Sequence, residues 1–121
     1  MPYSRQYSVE GDVFCVELSG EMPATALKRD DNLFEPLVRA CRDRDLTKIL
    51  IDARNVRTSL GFMDVFRAAK DLASLPPPQM QVACVVREQQ YDPLFEQVAN
   101  TRGAITRVFT NRKEAFDWFE S

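Results

Sequence analysis

The chain has 121 residues with a net charge of -2, a length that suits one ordinary domain. Its acidic pI of about 5.2 argues against general nucleic-acid binding, which needs a clustered basic surface. Three widely spaced cysteines and no histidine argue against a disulfide framework and against a metal site, since an all-Cys site takes four sulfurs.

No apolar run approaches the roughly 18 residues of a membrane span, and the first eight residues lack the apolar stretch of a signal peptide. These features predict a cytoplasmic protein. Cys15, Cys41 and Cys84 each sit in an apolar pattern and read as small buried hydrophobes.

In chain order, Tyr7 and Val9 alternate with polar residues, Glu10-Gly11-Asp12 interrupts, and Val13 to Leu18 follows. Two β-rich runs around a Gly-containing turn predict an antiparallel hairpin, with Gly20 ending its second strand. Ala24 to Arg44 reads as helical, with Leu33, Phe34, Leu37, Val38 and Cys41 on one face. Pro36 suits only a first turn. Asp30, Asp31 and Asn32 are N-cap candidates, so the main helix is expected to start near them. Ile49-Leu50-Ile51, closed by Asp52, has no alternation and predicts a strand buried on both faces.

Leu60 to Leu75 carries a helical stripe of Phe62, Val65, Phe66, Ala69, Leu72 and Ala73, with Thr58 or Ser59 as N-cap and Pro76-Pro77-Pro78 as stop. Gln81 to Val86 predicts a second buried strand. Asp92-Pro93 opens a further helix with Asp at N-cap and Pro at N1, which Gly103 ends. Ile105 to Phe109 predicts a strand. Asn111 and Glu114 have capping-box spacing, ahead of a last helix whose inward face is Ala115, Phe116 and Phe119. The order β-β-α-β-α-β-α-β-α predicts a single α/β domain with a five-stranded mixed sheet, its first strand antiparallel and the rest parallel. Cys15, Ile51, Val85, Phe66 and Phe116 are expected to be largely buried, and the strands at Ile49 and Val82 to be internal.

The chemistry-bearing residues form no catalytic constellation. The commonest general base, histidine, is absent. The four glycines, at 11, 20, 61 and 103, build no phosphate cradle. Asp52 stands at the carboxyl end of a central strand, where open α/β sheets place ligand-facing residues. An Asp there also commonly accepts hydrogen bonds from a following turn, here Arg54-Asn55-Val56. Arg54, Arg57, Thr58 and Ser59 run into a helix N-terminus whose free N–H groups could hold an anion, or could form a polar loop with an ordinary cap. Trp118 and its aromatic neighbours dock the last helix or expose an adhesive surface.

The hairpin leading to Leu18-Ser19-Gly20-Glu21-Met22, the segment Ile49 to Val56, the strand Val82 to Val86 and the ending Val108 to Phe119 together resemble the STAS domain, the fold of anti-sigma-factor antagonists. More closely, they resemble its SpoIIAA-like branch of small bacterial proteins, grouped with Sec14-type domains. The resemblance implies a non-enzymatic regulatory module with a protein partner and no cofactor. The antagonists carry an Asp-Ser-Ser-Gly-like motif at the start of the second helix, where a serine is phosphorylated. Here that position reads Leu60-Gly61-Phe62-Met63, and the motif is absent.

The working surface is placed at Asp52, Arg54, Arg57, Thr58, Ser59, Gly61, Phe62 and Met63. The Sec14-type grouping implies the alternative of an amphipathic or lipid-like ligand held against Phe62, Met63 and Phe66. The size of the chain argues against it, because a pocket of about 300 Å³ or more would have to sit beside a complete core. The oligomeric state is left open, a homodimer included.

Overall fold

A computed structural model describes residues 3–21, 34–57, 80–88, 96–97, 100 and 105–120. These contain the strands β1 (Ser4–Glu10), β2 (Val13–Glu21), β3 (Lys48–Arg57), β4 (Gln81–Val85) and β5 (Ile105–Phe109), and the helices α1 (Phe34–Arg44) and α2 (Arg112–Glu120). The strands form one sheet in the order β1-β2-β3-β4-β5. β1 pairs antiparallel with β2, and every other pairing is parallel. This is the expected mixed sheet, with β3 at its centre and β4 internal. Two of the four expected helices are among the described residues. The helix expected over 60–75 lies outside them. Of the helix expected over 92–101, Glu96, Gln97 and Asn100 are described and are helical.

The turn between β1 and β2 is two residues long, with Glu10 opposite Val13. Gly11 has φ +63° and open space where a Cβ would stand. A positive φ at the first central position but not at the second, Asp12, is the signature of a type II′ hairpin turn, and glycine adopts it without a steric cost.

α1 joins β2 to β3 and places Leu37, Val38 and Cys41 on one face of the sheet, against Phe14, Val16, Leu18, Ile49, Ile51, Val56, Met80, Val82 and Cys84. Pro36 falls in its first turn, where the backbone N–H has no intrahelical partner to lose. Asp45 ends the helix at φ 57°, with Leu46 N–H donating to the Cys41 carbonyl at 2.8 Å and Asp45 N–H to that of Arg42 at 3.3 Å. That pair of bonds is a Schellman motif, with an aspartate in the left-handed position that glycine usually fills.

α2 covers the opposite face, with Ala115 and Phe119 buried on Val13, Cys15, Leu50, Ala83 and Val85. Asn111 is its cap, its Oδ1 accepting from Glu114 N–H at 2.8 Å. Cys15, Ile51 and Val85 are buried as expected, while Phe66 lies outside the described residues. Phe116 corrects the expectation. It is only partly buried at the margin of this cluster, with the Arg112 guanidinium 5.7 Å from its ring centre. Ala115 and Phe119 take the direct contacts and leave Phe116 on the flank, its ring 6.2 Å from that of Phe119.

β3 is the second correction. It does not close at Asp52 but runs to Arg57, so Arg54-Asn55-Val56 is strand rather than turn. The register against β2 steps from Glu17↔Asp52 to Ser19↔Asn55, giving β3 one more residue than its partner over this span, a β-bulge. Ala53 and Val56 consequently pack on the same core cluster although they are three residues apart.

Candidate functional site

Residues two apart on a strand share a face, so Arg54 stands on the Asp52 side of β3 and folds back on its carboxylate. Asp52 is 1% exposed, on the α2 side of the sheet. Arg54 Nε donates to Oδ1 at 3.0 Å and Nη2 to Oδ2 at 2.8 Å, a bidentate pair. Arg54 backbone N–H adds a third bond to Oδ1 at 3.2 Å. A second cation comes from the first residue of α2. Arg112 Nη1 donates to Asp52 Oδ2 at 3.3 Å, and its Nη2 reaches Glu10 Oε2 at 2.7 Å. One chain of charges, Glu10–Arg112–Asp52–Arg54, thus ties the hairpin corner, the central strand and the last helix together.

These contacts set the ionisation. Burial works to raise the Asp52 pKa, but the hydrogen bonds and charge of Arg54, with a further bond from Arg112, outweigh it and hold the carboxyl below its ordinary value. Both guanidiniums are pushed up. The Asp52 hydrogen bond is the main cause at Arg54; at Arg112 burial opposes, and Glu10 and Asp52 prevail. A carboxylate held as an anion, with its oxygens occupied by guanidinium and backbone donors, is a weak base at neutral pH. Asp52 therefore organises the site and is poorly suited to proton transfer.

The three thiols are equally quiet. Each is free and buried. Burial pushes Cys15 up to about 11, with Glu10 adding to the effect, Cys41 up to about 11 and Cys84 up to about 12, so each stays a thiol at neutral pH. Among the described residues no cluster of His, Cys, Asp or Glu could hold a metal ion.

Of the residues singled out in the sequence, Asp52, Arg54 and Arg57 are brought to the carboxyl half of β3. Asp52 accepts the Arg54 backbone N–H, as a turn-capping Asp would, and it lies at the carboxyl edge of the parallel strands, opposite Val85 at the end of β4. The Arg54 side chain remains 37% exposed. Arg57 is exposed at the end of β3, opposite Glu21. Thr58, Ser59, Gly61, Phe62 and Met63 lie outside the described residues. Sequence reasoning missed Arg112 and Glu10. They stand 60 and 102 residues from their partners, and no local spacing signals such a contact. The usable clue was the capped helix start at Asn111, which a parallel β5 delivers to the carboxyl end of the sheet beside β3.

The architecture is an α/β fold with a mixed five-stranded sheet. It aligns with the crystal structure of an anti-sigma factor antagonist from Mycobacterium paratuberculosis, with a TM-score of 0.64 and 14% sequence identity, over 99% of this chain and 96% of that one. At that identity the likeness is one of fold. No family model matches the sequence, and no curated protein matches it either. No helix among the described residues is long and apolar enough to cross a membrane.

Proposed function

We propose that this chain is a non-enzymatic regulatory module that binds a protein partner at the carboxyl end of β3, around Arg54, Arg57 and the segment that follows. The carrying observation is the full-length likeness of fold to an anti-sigma factor antagonist. The local chemistry agrees with it. Asp52 is neutralised by two arginines, the thiols are protonated, and the exposed Arg57 with the half-buried Arg54 offers charge for recognition rather than groups for catalysis. Arginine is also favoured at interfaces.

The proposal separates partner binding from a phosphoryl switch. With Leu60-Gly61-Phe62-Met63 in place of the Asp-Ser-Ser-Gly-like motif, no regulatory phosphate is expected on Thr58 or Ser59. Phosphopeptide mapping of protein from its own host checks this, and stoichiometric phosphate at either residue overturns it. The partner reading is tested by affinity capture from that host with wild type and Arg57→Glu. The expected result is a stoichiometric protein whose binding Arg57→Glu weakens about tenfold or more, with a reduced salt dependence. The thermal melt of the variant should be unchanged. A co-purifying lipid in place of a protein, or a partner indifferent to both Arg57→Glu and salt, overturns the assignment.

A further inference from the structure

β5 is the last strand of the sheet on its side, and its backbone groups divide between two directions. Each residue of a parallel strand points its N–H and C=O the same way, and successive residues alternate. Phe109 C=O faces β4, beyond whose end it accepts from Val86 N–H at 2.9 Å. Thr106 and Val108 therefore turn their groups to the outer side.

Those outer groups are taken by side chains. Asn100 Oδ1 accepts from Thr106 N–H at 2.9 Å, and Asn100 Nδ2 donates to Thr106 C=O at 2.8 Å. Glu96 Oε2 accepts from Val108 N–H at 2.8 Å. A side-chain amide offers one acceptor and one donor as a peptide unit does, so Asn100 meets Thr106 as the opposite residue of a hydrogen-bonded strand pair would. The spacing fits as well. Glu96 and Asn100 are helical and one turn apart, a rise of about 6 Å. Thr106 and Val108 are alternate strand residues, about 6.6 Å apart. The contacts join 96 to 108 and 100 to 106, so the two helical residues stand in for an antiparallel neighbour.

We propose that Asn100 and Glu96 form a strand mimic that holds the β5 edge closed against a second copy of this chain. A strand adds to an edge by bonding to its unpaired N–H and C=O groups, and here Thr106 and Val108 have theirs engaged within the molecule. The edge needs such a guard. Ile105, Thr106, Val108 and Phe109 are all strand formers, and Ile105 is 39% exposed. Every copy carries the same edge, so an open β5 would meet its own sequence first, and a self-matched edge pairs by two-fold symmetry. The Glu96 carboxylate adds a charge that an incoming strand would have to displace. The inference is separate from the partner-binding reading, since β4 lies between β5 and β3.

Amide hydrogen exchange and sedimentation equilibrium test the guard together. In the double variant Asn100→Ala/Glu96→Ala, the Thr106 and Val108 amides should exchange about tenfold or more faster than in wild type. The variant should also show concentration-dependent association beyond that of wild type, with an unchanged circular-dichroism spectrum. Adding Ile105→Lys, a charge on the same edge, should reverse the association. Glu96→Gln, whose side-chain carbonyl still accepts from Val108 N–H, should behave as wild type. If the double variant loses its fold, Glu96→Ala alone gives the reading: faster exchange at Val108, protection kept at Thr106, and association above wild type. Amides that stay protected in the double variant mean that another part of the chain covers the edge, and they overturn the proposal. So does a folded double variant that associates no more than wild type, association indifferent to Ile105→Lys, or a Glu96→Gln variant that matches Glu96→Ala.

Discussion

Asp52 is the residue through which charge enters the stability of this domain. Its folded pKa is held below the ordinary carboxylate value, so the protein binds this proton more weakly folded than unfolded. The resulting stability is complete above the unfolded pKa of about 3.9. It is lost as pH falls through the folded value, where Asp52 protonates and its pairing with Arg54 weakens. Wild type should therefore keep this contribution down to about pH 4 and lose it below. Arg54→Ala removes the bidentate partner of a carboxylate that is almost fully buried. It should cost about 1–3 kcal/mol at neutral pH and move the acid-unfolding midpoint upward, as read by circular dichroism against pH. Asp52→Asn should flatten the acid limb instead, and an unchanged acid profile in that variant would show that another carboxylate controls it. The sequence marked Asp52 through its place at the end of an apolar strand run. Arg54 was legible as a following residue whose backbone N–H the carboxylate accepts, whereas Arg112 reaches it only through the fold.

At the scale of elements, legibility followed periodicity. β3 and β4 were visible because strands covered on both faces read as unbroken apolar runs, and α2 because Asn111 announces its cap. Where periodicity broke, the reading broke with it. The bulge at Ala53–Arg54 shifts the side-chain alternation of β3 by one, so Arg54-Asn55-Val56 looked like a turn although Asn55, Val56 and Arg57 pair with Ser19, Gly20 and Glu21. Phe116 was placed inward on helical spacing alone, which does not separate the centre of a helix's buried face from its flank. One element carries a correctable strain. Asp45 sits at φ 57° in the Schellman position of α1, where a left-handed residue with a Cβ costs about 1–2 kcal/mol. Glycine avoids that cost and gives back about 0.5–1 kcal/mol in chain entropy. Asp45→Gly should therefore stabilise the domain by up to about 1 kcal/mol, seen as a higher denaturant midpoint at constant slope. Asp45→Ala, which keeps the Cβ, should give no such gain.

For the whole molecule, alternating strands and helices were enough to give the strand directions and the internal strands, because short right-handed connections leave few topologies to choose from; the order came from the structure. The layering around the sheet fits that order, with α1 in a crossover on one face and α2, which follows the last strand, on the other. Function was less legible for a physical reason. A binding surface needs exposed groups that match a partner, and an exposed Arg57 has the same sequence signature as any solvated arginine. What the fold adds is position: it gathers Arg54 and Arg57 at the carboxyl end of the central strand.

The Arg112 clasp also bears on how fast the molecule comes apart. Its bonds to Asp52 and Glu10 close loops of 60 and 102 residues, whereas the Ser4–Ser19 hydroxyl contact of the hairpin closes 15. On chain entropy, the longest closure costs about 2 kcal/mol more than the hairpin contact, so the clasp should form after the folding barrier has been crossed. Interactions made that late leave the folding rate almost untouched and act on the escape rate. Arg112→Ala should leave the refolding arm of a chevron plot nearly in place and raise the unfolding arm, shortening the native lifetime by the full equilibrium loss. A slowed refolding arm would instead place the clasp in the nucleus. If the late placement holds, the domain owes its persistence once folded to one arginine that takes no part in assembling it.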